Sequence, residues 1–210
     1  MSSRENILNR LKKAADRRKA DQPPKPDFES PVYLDTDKSL ADWFQENLEL
    51  VGGKVIRPKN LSEAVLQVEA LAKQESRDAV FCLDPTLKQA LDGKLAYQDA
   101  AEEFENVQVG ITPCEFLVAH LGSVLVSSAG YSGRRLHVFP ETHIVIAHQK
   151  QLVRYLDNAL EQLQEKYRND LPSMITNITG PSRTADIEKT LVMGMHGPRN
   201  LFVLLCDEPF

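Results

Sequence analysis

The sequence predicts an α/β domain built on an open, mostly parallel β-sheet that is flanked by helices. The first half of the chain alternates segments of helical apolar spacing with short apolar runs that are typical of strands. Residues 79–83 are apolar throughout, which is the pattern of a strand that is covered on both faces of its sheet. With 210 residues, of which 42% are hydrophobic and 26% charged, the chain is long enough to bury its own core.

Glycines, prolines and capping residues mark the predicted helix ends in the first half. Apolar residues recur at helical spacing over residues 39–51, and the glycine pair at residues 52–53 is expected to end that helix. A short strand is predicted at residues 54–56, and Ser62 is predicted to cap the helix that follows. After the buried strand, Asp84 and the proline behind it predict the start of a third helix.

The second half predicts more strands and fewer helices. Strands are predicted at residues 107–112, 123–127, 136–139, 143–147, 174–178 and 201–205. A helix that begins at Pro113 is expected to reach residue 119. A long amphipathic helix is predicted with the leucines at positions 152, 156, 160 and 163 on one face. A last short helix is predicted at residues 185–190, after a glycine turn.

Residues 1–30 are predicted to form a basic amphipathic helical arm and a proline-rich linker, and residues 31–210 the α/β domain. The spacing from Ser2 to Glu5 is that of a capping box. Residues 1–26 contain eight lysines and arginines against three acidic residues, in a chain whose net charge is −5. The arm therefore suits an anionic surface, or it is a solvated helix that packs on the domain or on a partner. The acidic remainder argues against nucleic-acid binding.

Composition also bears on location and on metal binding. No uncharged apolar run approaches the ~18–20 residues of a membrane span, and the N-terminus lacks the apolar region of a secretory signal. Cys82, Cys114 and Cys206 are far apart and form no CxxC pair, so neither zinc nor an iron–sulfur cluster is expected on this chain. Scattered cysteines of odd number are typical of a cytoplasmic protein.

The strongest signal for a binding site is a strand followed by the sequence GPSRTADIE and a predicted helix. A glycine turn that leads into a helix presents free N–H groups, to which hydroxyls and a guanidinium add further donors. Such a site could hold a carboxylate or a phosphate; alternatively, Thr184 only caps the helix. The segment is neither a P-loop nor GxGxxG, so no nucleotide is implied. The predicted ligand-binding residues here are Gly180, Ser182, Arg183, Thr184 and Asp186.

A second glycine-bracketed loop, GMHGPRN, lies directly before the last predicted strand. His196, Gly197 and Arg199 are predicted to face the same crevice, because open α/β sheets bind ligands beyond the carboxyl ends of their strands. The alternative for His196 is a hydrogen-bonded structural role. No pattern in the sequence decides whether the two glycine loops share one crevice.

A third group of candidates lies between residues 119 and 143. Glu141 and His143 are two residues apart, which can place both side chains on one face of a strand. Glu141 is a weak candidate for a general base or a nucleophile, and a polar turn between strands is the alternative. A credible third metal ligand is missing, so a metal is not expected. Gly122 and Ser123 could offer backbone N–H groups to a ligand or simply end a helix.

Four segments together resemble the LUD domain and, within it, the lactate utilization protein C family. They are GSVLVSS from Gly122, GRRLHVFPETHIVIA from Gly133, GPSRTADIE, and VMGMHGPRNLFVLL from Val192. The resemblance implies the fold group of ribose-5-phosphate isomerase and the CoA-transferases. It also implies two partner proteins that carry iron–sulfur clusters and oxidise L-lactate to pyruvate, with no cofactor bound by this chain itself. One departure is the His–Leu–Gly–Ser segment at residues 120–123, where relatives often carry a Glu–Thr–Gly–Thr-like segment.

Three functions follow, and the sequence leaves open whether the chain is catalytic. The first is an accessory subunit of a lactate-oxidising system, supported by the resemblance and by the lack of a recognisable catalytic motif. The alternative is a stand-alone enzyme that acts on an anionic small molecule, such as a CoA thioester, a sugar phosphate or a folate. The glycine loops and Arg183 motivate this alternative. A scaffold without any ligand is a third possibility.

Overall fold

The computed structural model describes residues 2–20, 33, 36–74, 80–99, 107–184 and 192–210. The chain divides into two compact units, residues 1–37 and residues 38–210. The first unit contains helix α1 (Ser3–Ala20). The backbone N–H of Ser2 donates to Glu5 Oε2 at 2.7 Å, and the N–H of Glu5 donates to Ser2 Oγ at 3.4 Å. The predicted helix and its capping box are therefore confirmed, whereas most of the predicted linker lies outside the described residues.

The second unit contains the remaining helices and strands of the described chain. Its helices are α2 (Leu40–Leu50), α3 (Leu61–Gln74), α4 (Pro85–Leu91) and α5 (Leu156–Tyr167). Its strands are β1 (Lys54–Ile56), β2 (Val80–Cys82), β3 (Val109–Thr112), β4 (Phe116–Val118), β5 (Ser123–Ser127), β6 (Thr142–His148), β7 (Leu152–Val153), β8 (Ile175–Ile178), β9 (Arg183–Thr184), β10 (Val192–Met193) and β11 (Asn200–Cys206).

The central sheet has the strand order β1-β11-β6-β3-β2, and all its neighbouring strands are parallel. This confirms the predicted α/β class. A second sheet of order β7-β4-β5-β8 is mostly antiparallel and was not predicted. Strands β9 and β10 form a separate antiparallel pair.

The core of the second unit lies in layers on both sides of the central sheet. Helices α3 and α4 cover one face of this sheet. Helix α2 and the second sheet cover the other face, where Phe44 and Leu48 pack against Val203 and its neighbours. Helix α5 packs on the far face of the second sheet through Ala159 and Leu163. Strands β2, β3, β6 and β11 of the central sheet are therefore buried on both sides, as their continuous apolar composition predicts, whereas the edge strand β1 is partly exposed.

Three local predictions are wrong, because pairing and side-chain contacts override the local pattern. Residues 116–118 form strand β4 rather than a helix, since they pair with β5 on one side and β7 on the other. Residues 136–139 form turns rather than a strand, because the N–H groups of Val138 and Phe139 both donate to Arg135 O at 3.0 Å. Helix α3 is capped by Asn60 rather than Ser62, since Asn60 Oδ1 accepts from Glu63 N at 3.1 Å.

Other boundaries follow the predictions more closely. Ser39 Oγ caps α2 by accepting from Asp42 N, and Asp84 Oδ1 caps α4 by accepting from Thr86 N and Leu87 N. Leu152 belongs to β7, so α5 begins four residues later than the leucine pattern indicates. The strand predicted at residues 174–178 is present as β8, which lies at an edge of the second sheet and alternates in exposure. The helix predicted at residues 185–190 lies outside the described residues.

Candidate functional site

The two glycine loops that the sequence singled out are in direct contact. Ser182 N donates to the carbonyl of Pro198 at 2.8 Å, and Gly194 N donates to the carbonyl of Ser182 at 2.9 Å. Gly197 packs against Ser182, since a Cβ at position 197 would lie 3.3 Å from Ser182 Cβ. We call residues 180–184, 192–199 and Glu141 the loop junction.

The loop junction lies at the amino ends of the parallel strands. Glu141 directly precedes β6, and its carbonyl accepts from Arg199 N at 2.8 Å and from Asn200 N at 3.1 Å, where β11 begins. The expectation that the GMHGPRN loop lies beyond the carboxyl ends is therefore wrong, because this segment enters β11 instead of leaving a strand of the central sheet. The GPSRT segment follows β8, a strand of the second sheet. Strand direction, which fixes this edge, depends on how the strands are connected in space.

The side chains of the loop junction form an open, mixed surface. Arg183, His196, Arg199 and Glu141 are exposed, and Thr184 is half-buried. Glu141, His196 and Gly197 line a cleft of about 390 Å³, together with exposed apolar side chains of Val138, Phe139 and Met195. Asp186, the last predicted ligand of this group, lies outside the described residues.

Gly122 and Gly180 have a packing reason for being glycine. Gly122 has φ +58°, and a Cβ there would lie 2.1 Å from Leu48 N in α2. Gly180 has φ +80°, and its Cβ would lie 2.7 Å from the carbonyl oxygen of Val51 at the end of α2. Both glycines therefore allow α2 to approach the backbone closely. Ser123 is fully buried, and its hydroxyl has no hydrogen-bond partner among the described residues.

His143 lies between the two sheets and is separated from solvent. Its Nε2 is 2.8 Å from Thr112 Oγ1, and both side chains are fully buried. The His143 ring is also 5.7 Å from the ring of His137, measured between centroids. Glu141 is exposed at the entry to β6. The sequence spacing of Glu141 and His143 thus does not produce one shared polar face.

A second concave site lies at the carboxyl ends of β2 and β3, and we call it the His137 cavity. Its volume is about 230 Å³. It is lined by Asp84 after β2, by residues 113–115 after β3, by Val126 and Ser127 of β5, by residues 129–132 and His137, and by Lys166 and Tyr167 of α5. Sequence reasoning missed this site, because the helix wrongly predicted from Pro113 hid the strand end that carries Glu115. The buried run of β3 followed by a carboxylate was the available signal.

Glu115 is the charged group that organises the wall of the His137 cavity. Its Oε1 accepts from Ser127 Oγ at 2.6 Å and from Tyr167 OH at 2.7 Å, and its Oε2 accepts from Lys166 Nζ at 2.7 Å. Burial alone would raise the pKa of this carboxyl, but these three donors hold its pKa below the ordinary value. Glu115 is therefore an ionised group that joins β5, the β3–β4 connection and the end of α5.

His137 and Ser132 supply neutral polar groups to the cavity. They are 3% and 4% exposed. Burial lowers the pKa of His137 to about 4, an effect that the backbone of Ser127 and Gly133 offsets in part. Neither ring nitrogen of His137, nor Ser132 Oγ, has a hydrogen bond of standard geometry within the described part of the chain. A neutral imidazole and a hydroxyl can each donate and accept, so this wall suits a polar ligand.

The structure also bears on metals and membranes. In the described part of the chain, no three histidine, cysteine, aspartate or glutamate side chains come together as a metal site would require. Burial raises the pKa of the Cys114 thiol, so this residue of the cavity stays in its neutral form. None of the helices in the described ranges has the length and apolar character to cross a membrane.

Comparison with known proteins identifies the family. Residues 41–206 match the LUD domain. A lactate utilization protein C from Geobacillus thermodenitrificans is 33% identical over 182 residues, which are 83% of this chain and 72% of that protein. This chain belongs to the LUD domain family. The resemblance to lactate utilization protein C that the four sequence segments indicate is thus confirmed.

Further relatives of this LUD domain protein agree with that assignment. A lactate utilization protein C from Oceanobacillus iheyensis is 27% identical over 186 residues, covering 80% of each protein. A crystal structure of a DUF162 family protein from Deinococcus radiodurans has a TM-score of 0.59 and 17% identity, covering 80% of this chain and 96% of that one. This last similarity supports the fold.

In this LUD domain, the segment at residues 119–120 packs in an aromatic cluster beneath α2. His120 packs against Trp43 and Tyr155, with ring centroids 5.5 Å away in each case. The guanidinium of Arg154 lies 5.6 Å from the Trp43 ring. Asn47 Nδ2 of α2 donates to the carbonyls of Ala119 and His120 at 2.9 and 3.1 Å. The imidazole at position 120 therefore takes part in packing between α2 and the second sheet.

The two buried histidines of the LUD domain predict an acid-sensitive fold. Burial and the neighbouring His137 lower the pKa of His143 to about 3, well below the unfolded value of about 6.5. The unfolded chain then binds more protons as the pH falls below about 6.5, so each buried histidine lowers stability by up to about 1.4 kcal/mol per pH unit. His143→Gln should remove the part of this pH-dependent loss of stability that comes from His143. Urea unfolding between pH 7 and pH 5 measures it.

The matched control for this prediction is His196→Gln, which changes an exposed histidine of the loop junction. This variant should keep the pH dependence of the wild type. If His143→Gln and the wild type lose stability in parallel as the pH falls, the buried imidazole is not the titrating group.

Proposed function

We propose that this chain is a lactate utilization protein C-like subunit that supports the oxidation of L-lactate to pyruvate. The observation that carries the proposal is the family match over residues 41–206, which includes both the loop junction and the His137 cavity. The relatives that cover about four-fifths of the chain are named for lactate utilization. Participation in a lactate utilization system is the part that these names support most directly.

The finer part of the proposal concerns the partners. Two iron–sulfur proteins carry the redox clusters, and this chain binds none itself. The location is the cytoplasm, which is supported by three free cysteines, two of them buried. The exposed apolar side chains of Ile7, Leu8 and Leu11 on the basic helix α1 support a contact with another protein.

The alternative of a stand-alone enzyme is less well supported. The names of the relatives favour the subunit. In the described residues, the hydroxyl–imidazole contact that resembles a nucleophile and its base is between Thr112 and His143, and both groups are fully buried. A substrate would have to displace core packing to reach them.

The experiment is co-purification of a tagged chain from cells grown on L-lactate, followed by visible spectroscopy. The expected result is a brown complex that contains two cluster-carrying proteins and oxidises L-lactate with an artificial electron acceptor. The same purification from a strain lacking the two partner proteins is the control, and it should yield a colourless chain. A colourless, unaccompanied chain from lactate-grown wild-type cells would contradict the proposal.

Removal of residues 1–30 should weaken this assembly without unfolding the second unit. The reason is that residues 38–210 form a compact unit of their own, whereas α1 carries exposed apolar and basic side chains. The measurement compares the yield of partner proteins with the midpoint of thermal unfolding. A triple variant, Ile7→Ser, Leu8→Ser and Leu11→Ser, keeps the charge and isolates the apolar contribution. Unchanged partner yield in both variants would exclude a role for the arm.

A further inference from the structure

We propose that the His137 cavity binds a small uncharged polar molecule, of which a primary amide is the simplest representative, through the His137 ring and the Ser132 hydroxyl. This goes beyond the proposed lactate function, which assigns no ligand to this cavity. It also differs from the anion that the glycine loops suggest from sequence.

The first argument is the presence of buried polar groups that need partners. His137 and Ser132 are at least nine-tenths buried and line the cavity. Within the described residues Ser132 Oγ has no hydrogen-bond partner, and the His137 ring has none of standard geometry, although the backbone of Ser127 and Gly133 lies close enough to offset part of its burial. Folded proteins satisfy nearly all such groups, because an unpaired buried donor or acceptor costs stability. The cavity beside these two side chains is where a partner molecule fits.

The second argument is charge. Asp84 and Glu115 are acidic groups that line the cavity, and Lys166 is the basic one, so the charged groups of the wall leave a net negative charge. The Lys166 ammonium is already bound to Glu115. An anion would therefore enter against an unfavourable field.

The acidic wall does not favour a cation either, because its carboxylates already accept hydrogen bonds from protein groups. Glu115 accepts three side-chain hydrogen bonds, and Asp84 accepts from the N–H groups of Thr86 and Leu87. The side chains of the wall that lack a hydrogen bond of standard geometry among the described residues are neutral ones, Ser132 and His137, and the backbone of Ser127 and Gly133 supplies the His137 ring only in part. Hydrogen bonding, rather than charge, is what a ligand must provide.

The third argument is size and hydrogen-bond pattern. A volume of about 230 Å³ is below the ~300–1,000 Å³ that is typical of pockets for drug-sized ligands, so the ligand is small. A neutral imidazole and a hydroxyl each offer one donor and at least one acceptor. A primary amide presents a donor and an acceptor side by side and matches both.

The test uses acetamide and acetate, which have nearly the same shape and differ in charge. Each is titrated at pH 7 into the full chain labelled with ¹⁵N-histidine, and the ring resonances of His137 are followed by NMR. Acetamide should give saturable shifts in the millimolar range that so few atoms allow. Acetate should bind about tenfold more weakly or worse, because of the acidic wall.

Two variants localise the binding. Ser132→Ala removes the hydroxyl and should weaken acetamide binding by about tenfold. Ser123→Ala is the matched control, since Ser123 is equally buried and also lacks a partner among the described residues, but does not line the cavity. It should bind acetamide as the wild type does.

Three results would overturn the proposal. Acetate binding as tightly as acetamide would reject an uncharged ligand. The lack of any saturable shift of His137 with acetamide would reject the site. Equal loss of binding in Ser132→Ala and Ser123→Ala would reject the assignment of the Ser132 hydroxyl.

Discussion

Replacement of Gly122 by alanine is expected to destabilise the second unit by about 3 kcal/mol or more. A Cβ at this position would lie 2.1 Å from Leu48 N, 2.4 Å from Asn47 C and 2.7 Å from Leu48 Cα. These are backbone atoms of α2, so no side-chain rotation relieves the contact. The positive φ of +58° adds a cost that alanine bears and glycine does not. Helix α2 must therefore shift away from the second sheet.

Two glycines of the same chain provide the controls for Gly122→Ala. Gly93 also has a positive φ, +70°, but nothing lies within 4 Å of its added Cβ, so Gly93→Ala measures the backbone cost alone. Gly130→Ala has open space and no positive φ and should be nearly neutral. Urea unfolding monitored by Trp43 fluorescence gives the three free energies. A Gly122→Ala variant as stable as Gly93→Ala would show that α2 does not press on this turn.

The second largest effect is expected for Glu115→Ala, at about 2–4 kcal/mol near neutral pH. The substitution removes the acceptor of Ser127, Tyr167 and Lys166 at once, and it leaves two hydroxyls in a half-buried wall without their partner. The Lys166 side chain is 56% exposed, so water solvates its ammonium group once Glu115 is gone. The loss of folding stability therefore comes mainly from the two hydroxyls.

The pH dependence of this effect has a definite sign. Hydrogen bonds hold the pKa of Glu115 below the unfolded value of about 4.3, so its stabilising contribution is fully present above that pH. The contribution is lost as the pH falls through the lowered pKa, and the difference between wild type and variant should shrink accordingly. Urea unfolding at neutral and at acid pH measures this difference.

Glu161→Ala on the exposed face of α5 is the matched control for Glu115→Ala. It removes the same side chain from the same layer of the molecule, and it should change stability by less than about 0.5 kcal/mol. A Glu115→Ala variant that unfolds like this control would show that the carboxylate does not join α5 to the second sheet.

Much of the fold followed from local pattern, as the buried strands show. Residues 79–83, 143–147 and 201–205 are apolar runs that only a sheet covered on both faces accommodates, and all three contain strands of the central sheet. The ends of α2 and α4 followed from Ser39, Asp84 and the glycine pair, because capping is a local interaction.

The second sheet could not be predicted in the same way. Residues 116–118 are apolar and short, and such a segment fits a helical turn or a strand equally well. Their strand conformation comes from the parallel pairing with β7 and the antiparallel pairing with β5. Residues 136–139 show the opposite error. Their mostly apolar composition predicts a strand, but they form turns in which Val138 N and Phe139 N donate to Arg135 O.

The features of the candidate sites also fall into those that local sequence predicts and those that depend on tertiary contacts. The sequence by itself determined the α/β class, the family, the capping of several helices and the segments that carry the glycine loops. Only the tertiary structure decided that those loops meet at the amino ends of the strands, that Gly122 lies under α2, and that Glu115, Ser132 and His137 line one cavity. The physical reason is that periodicity and capping depend on neighbours along the chain. A cavity wall depends instead on which strands pair and in which direction, and that pairing brings together residues as far apart as Asp84 and Tyr167.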